Sequence, residues 1–161
     1  MNAHDILAYG HGTLLAALDG IPIVRWEDPG VCGVWSVKDI VSHLGSYEMW
    51  HVEVLRGILV DEPAPVSEQL RVRGNEFNDW WVSTRAGHSP DDVLDEYLRA
   101  HGDLMEWVGR VPGDVFPQVG TIPWYGPEYS LDDFLVYSSY GHKREHSAQC
   151  NAYKDKLSSD G

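Results

Sequence analysis

A chain of 161 residues is long enough to bury a core of its own as one domain, residues 1–161, without needing cross-links to hold it together. With 43% hydrophobic and 11% aromatic residues it is too apolar for a disordered chain, yet it holds no unbroken apolar run of membrane-spanning length. Its 25 acidic side chains against 12 basic ones give a formal net charge of -13, a balance that repels DNA phosphates and anionic lipid and predicts neither a nucleic-acid nor a membrane partner.

The N-terminus shows no basic stretch followed by an apolar run, so no secretory leader is expected. The two cysteines, Cys32 and Cys150, form no CxxC pair and read as reduced thiols of a cytoplasmic protein. Helical spacing begins at once: Ile6, Leu7, Leu14, Ala17 and Leu18 share a face over Asp5 to Leu18. "DGIPIVRWEDPGVCGVW" is rich in glycine and proline and reads as a long ordered loop. Ser36, with Asp39 three residues on, makes a near capping box and opens a second helix from Val37 to about Val60. Its apolar stripe is Val37, Ile40, Val41, Leu44, Leu55 and Ile58.

A third helix is predicted over Glu68 to Arg85, carrying Leu70, Phe77 and Trp81 on one side. "HSPDD" then gives a helix start with Ser89 as N-cap, Pro90 at the first helical position and acids in the first turn. The loop "VPGDVFPQVGTIPWYGPEY" is long for a compact domain, and loops of that length often serve function. Ser130 caps a last helix from Leu131 to about Lys156. No segment alternates over strand length, so the chain reads as all-α, an antiparallel helical bundle.

The last helix carries the chemistry. Leu131, Leu135, Ser138, His142, His146, Gln149 and Tyr153 fall on one inward face, whose middle is polar. Unpaired buried polar groups cost on the order of 1–3 kcal/mol each, so something must satisfy this patch. Histidines four residues apart stack one turn apart, close enough to share a metal ion; the alternative is a pair of rim histidines bonded to neighbouring helices. "HKREH" also fits H-x-x-E-H, the inverted zinc-peptidase motif. That motif needs a carboxylate ligand far downstream, and only Asp155 and Asp160 follow, in a polar tail, so the peptidase reading fails. Lys143 and Arg144 are expected to point away from the inward face.

The third ligand then comes from upstream. His88 lies in a loop, His4 and His11 lie toward an edge, and His101 sits in an apolar stripe where a core histidine is commoner. His43 and His51 remain on the second helix; periodicity slightly favours His51 and leaves the choice open.

"GVWSVKDIVSHL" and "YGHKREHSAQ" together resemble the second-helix and last-helix motifs of the DinB-like (DinB/YfiT) metalloenzyme superfamily. "NEFNDWWVSTR", "SPDDVLDEYLRAHGDLMEWV" and the aromatic loop "VFPQVGTIPWYG" are similar to its ClbS/DfsB branch. The resemblance implies a four-helix bundle with an additional helix and long loops. It implies His43, His142 and His146 as ligands of a divalent transition metal, zinc, nickel or iron, in an open catalytic site. Gly141 departs from the pattern, standing where an acid is common, and Cys150 replaces an aliphatic.

The resemblance further implies a metal-dependent enzyme acting on a small molecule, with a hydrolase or detoxifying role as one reading. Transfer or isomerisation with a low-molecular-weight thiol such as mycothiol, bacillithiol or glutathione is the other. Relatives of this kind often form homodimers. Glu145 is a candidate general base or orienting group beside the nucleophile, or else an ordinary solvated acid. Tyr47, Trp50, Trp124 and Tyr125 are candidates for lining the substrate pocket. No cationic cluster is evident for a thiol's carboxylates, which favours the hydrolase or detoxifying reading. A metal-free bundle that sequesters a hydrophobic metabolite is the non-enzymatic alternative.

Overall fold

The computed structural model describes residues 2–160. Among these residues the fold is helical, and extended backbone pairs only at two isolated bridges, Cys32 with Trp35 and Val119 with Ser130. The helices are α1 (Ala3–Leu18), α2 (Val37–Leu59), α3 (Pro65–Arg73), α4 (Phe77–Thr84), α5 (Pro90–Arg110), α6 (Leu131–Leu135) and α7 (His142–Asp160). Six residues of π-helix, Val136–Gly141, carry the chain from α6 into α7 without a break.

Local chemistry sets the starts. Ser36 and Asp39 form a full capping box at α2, and Ser130 with Asp133 repeats it at α6. Ser89 accepts the Asp92 amide at 3.1 Å and Pro90 opens α5. The single helix expected over residues 68–85 is instead two, α3 and α4. Gly74 breaks it with φ 53° and ψ -124°, a conformation that only glycine adopts readily.

Two apolar clusters locate the core. One joins Leu14 and Leu18 of α1, Ile40 and Leu44 of α2, Val93 and Tyr97 of α5 and Cys150 of α7. The other joins Leu7, Leu55, Leu104, Phe134 and Leu135. The first therefore gathers the end of α1 and α7 with the start of α2 and α5, and the second the opposite ends. So α1 and α7 run one way and α2 and α5 the other, with α3 and α4 on the crossover between α2 and α5.

Between the two clusters lies a polar layer. It contains His43, Ser46, Glu48 and His51 from α2, His101 from α5, and Lys143, His146 and Ser147 from α7, all buried. Lys143, expected to point outward, instead enters this layer: its ammonium pairs with the buried Glu48 carboxylate. Glu48 accepts a second bond from His101 Nδ1 at 3.1 Å, and His101 stacks on His11 with ring centroids 3.8 Å apart. A buried cation is retained because a carboxylate on the facing helix compensates it.

Candidate metal centre

Helix α2 delivers His43 two turns inside its capping box, and α7 delivers His142 at its first residue and His146 one turn later. Their Nε2 atoms converge: His43 to His142 is 2.8 Å and His142 to His146 is 3.1 Å. One ligand atom from each ring lies within 4.8 Å of the others. His43 and His146 are buried and His142 is half-buried.

Hydrogen bonds alone do not satisfy this arrangement. His146 Nδ1–H donates to Gln149 Oε1 at 2.8 Å, which leaves a lone pair on its Nε2. A neutral His142 carries at most one hydrogen on Nε2. If it donates to His146, it cannot serve His43; if it accepts from His43, two lone pairs face each other across to His146. A cation at the convergence point removes the conflict. Protons do not supply it: burial, then the fields of His142 and His146, pushes the His43 pKa down to about 2. Burial, with His146, His51 and Lys143 adding to it, pushes His142 down to about 3, and burial lowers His146 as well. Three neutral imidazoles are the form that ligates a metal, so the donor set fits a divalent transition metal.

His51 stands outside the ring of nitrogens, against the slight preference from periodicity. Its Nε2–H donates to Ser138 Oγ at 2.9 Å, and Ser138 in turn donates to the Phe134 carbonyl at 2.6 Å. His101 is engaged with Glu48, His11 bonds the Tyr97 hydroxyl at 2.9 Å, and His4 and His88 are exposed.

Of the expected pocket residues, Tyr47 is the one set against the histidines, its ring edge-on to His43 at 4.9 Å and to His142 at 4.7 Å. Its hydroxyl donates to Asn78 Oδ1 at 3.3 Å, and burial raises its pKa. Trp50 stands behind Tyr47 at 5.5 Å and stacks toward Trp124 at 5.9 Å. Tyr125 packs on Phe134 and Tyr129, each at 5.1 Å. Glu145 is exposed, and among the described residues its carboxylate makes no hydrogen bond or ion pair, so the structure does not bring it against the three nitrogens. Sequence reasoning missed Trp35, whose ring lies 4.9 Å from His43, and the orienting part of Gln149, whose i+3 spacing from His146 was the available signal.

A family model described as the mycothiol maleylpyruvate isomerase N-terminal domain matches residues 7–125. The chain belongs to that family. The matched stretch takes in His43, Tyr47 and Trp50 and ends before α6 and α7, so His142 and His146 lie beyond it. No curated protein sequence matches. A solved structure, "Crystal structure of colibactin self-resistance protein ClbS in complex with a dsDNA", is similar at a TM-score of 0.66 and 15% identity, covering 93% of this chain and 91% of that one. The likeness bears out the expected helical-bundle fold, shared with ClbS. It also corrects the expectation, drawn from net charge, that excluded a nucleic-acid partner: a protein of this fold is seen with double-stranded DNA. A sum over the whole surface is the wrong quantity, because phosphate contacts are local. Among the described residues, no helix is long and apolar enough to cross a membrane.

Proposed function

We propose that this chain is a metal-dependent enzyme that detoxifies a small electrophilic molecule, with His43, His142 and His146 holding a divalent transition metal, zinc, nickel or iron. The observation that carries this reading is the convergence of three neutral, largely buried imidazoles whose contacts no arrangement of protons satisfies. When bound, the metal lowers the pKa of a coordinated water or thiol toward neutrality.

The chain's own residues do the rest. Gln149 fixes the tautomer of His146, so that its Nε2 lone pair points inward. His51 and Ser138 brace the helix from which His142 projects. The Tyr47 ring covers the histidines on one side, and its hydroxyl, held weakly by Asn78, is free to turn and donate to a substrate oxygen. Water as the nucleophile is favoured because the buried cations, Lys143 and Lys38, are already paired, with Glu48 and Glu27. Membership of the mycothiol maleylpyruvate isomerase N-terminal domain family favours a second reading, in which a low-molecular-weight thiol is the nucleophile. Double-stranded DNA comes over as a candidate partner from the ClbS complex.

The test is metal content by elemental mass spectrometry on the untagged protein and on His43→Ala, His142→Ala, His146→Ala and His51→Ala. About one ion per chain, lost in the first three and kept in the last, supports the site. Turnover of strained-ring electrophiles with and without added thiol separates the two chemistries, and fluorescence anisotropy with a DNA duplex at low salt tests the partner. An absence of metal after reconstitution with zinc, nickel and iron would refute the enzymatic reading.

A further inference from the structure

A cleft of about 830 Å³ opens between α2, α3 and the 121–124 loop, and it contains none of the three histidines. Its walls are mainly apolar and aromatic: Trp50, Val54 and Ile58 from α2, Leu70 from α3, Ile122 and Trp124 from the loop. That volume falls in the range of small-molecule sites.

The charged groups on its walls are spoken for. Glu53 accepts the Val66 amide at 2.9 Å and both the amide and the hydroxyl of Ser67 at 2.7 Å, so its carboxylate caps α3. Arg71 gives two bonds to Glu68, at 3.1 and 2.6 Å. Thr121 donates its hydroxyl to the Gln118 carbonyl at 2.7 Å. The indoles differ. Among the described residues only Trp26 and Trp35 donate an indole N–H to a protein acceptor, so Trp50 and Trp124 keep theirs available. Trp124 is 63% exposed, an unusual state for a large aromatic unless something covers it.

We infer that this cleft binds a neutral, planar, largely apolar small molecule bearing hydrogen-bond acceptors, packed against the paired indoles of Trp50 and Trp124 and bonded by their N–H groups. A charged ligand would lose its hydration, and an anion would have to compete with Glu68 for Arg71. Trp50 lines the cleft on one side and meets Tyr47 on the other, and Tyr47 faces His43 and His142. The cleft thereby seats the part of the substrate remote from the reacting end; that assignment rests on the function proposed above, whereas the binding does not.

Three naphthalene dyes test it by fluorescence titration: 6-propionyl-2-dimethylaminonaphthalene (neutral, with a carbonyl acceptor), N-phenyl-1-naphthylamine (neutral, without one) and 8-anilinonaphthalene-1-sulfonate (anionic). The carbonyl dye should bind several-fold tighter than the neutral amine and at least about tenfold tighter than the sulfonate. Gly57 lines the cleft, and a Cβ built on it meets nothing within 4 Å, so Gly57→Phe fills the space without disturbing α2. That variant should weaken the carbonyl dye at least about tenfold, with unchanged circular dichroism, and Trp124→Ala should weaken it several-fold. His142→Ala should bind the dye as wild type does, so loss of the metal reading leaves this one standing. Equal or tighter binding of the sulfonate, or a Gly57→Phe variant that binds the carbonyl dye normally, would overturn the inference.

Discussion

Replacing Lys143 with methionine tests the polar layer most directly. The pair it forms with Glu48 is sealed from water, with side-chain exposures of 2% and 1%. Methionine fills a similar volume but leaves the Glu48 carboxylate buried without its cation. Breaking a buried ion pair from one side costs about 3–5 kcal/mol. The bond from His101 Nδ1, at 3.1 Å, remains and still supports the carboxylate, so the lower end applies, about 3 kcal/mol. Out of a typical stability of about 5–15 kcal/mol this is large, and for a chain of this size it lowers Tm by about 6–12 °C. The assay is urea and thermal denaturation followed by circular dichroism, run with Glu48→Gln and the double variant Lys143→Met/Glu48→Gln. Glutamine keeps an acceptor for His101 and removes the charge, so the double variant should recover most of the loss. A Lys143→Met variant that loses less than about 1 kcal/mol would refute the reasoning, because an uncompensated carboxylate in that layer cannot be so cheap. A double variant no more stable than Lys143→Met would point instead to the lysine's packing.

Three further outcomes follow from the geometry. Gln149→Ala frees His146 to rotate and change tautomer, and should weaken metal affinity about 10- to 100-fold in chelator competition, so unchanged affinity would show that Gln149 does not orient the ring. Burial pushes His51 down to about 4, so its folded pKa is depressed below the ordinary 6.5; full stability is present above pH 6.5 and is lost as pH falls toward 4, where the unfolded chain takes up a proton that the folded chain refuses. This amounts to about 3 kcal/mol by pH 4, seen in urea titrations of metal-stripped protein, with a shallower pH slope in His51→Gln; identical slopes would contradict it. Gly74→Ala places a side chain at φ 53° and ψ -124° and should cost about 1–3 kcal/mol in thermal unfolding.

Helix starts were legible because their chemistry is local: Ser36, Ser89 and Ser130 each bond within three residues along the chain. The break at Gly74 was not, since an isolated glycine inside a helical pattern can be tolerated as well as end the helix. The pair His142 and His146 stood out by spacing, but the choice of His43 over His51 depends on what α6 and the π turn place opposite each. Ser138 meets His51 and His142 meets His43, and both meetings join residues far apart in sequence. Lys143 misled for the same reason: a helical wheel sees a cation, while its fate was decided by Glu48 on α2. Glu145, singled out by its place beside His146, lies on the exposed side of α7 because neighbours in sequence point about 100° apart on a helix.

The π turn between α6 and α7 also governs how this protein can change by insertion and deletion. Its hydrogen bonds span five residues where an α-helix spans four, so Val136–Gly141 accommodates one residue more than α-helical winding would. The phase of α7 is thereby uncoupled from that of α6, which is pinned by its capping box and by Leu131, Phe134 and Leu135 in the core. Loss of a single residue in that stretch would let ordinary winding deliver His142 and His146 toward His43 in nearly the same phase, whereas rewinding the full-length stretch as α-helix would swing them about 100° away, leaving α6 where it is. The winding of this stretch, rather than its length alone, decides whether the nitrogen cluster forms, so a one-residue gain or loss is tolerated when the winding changes with it.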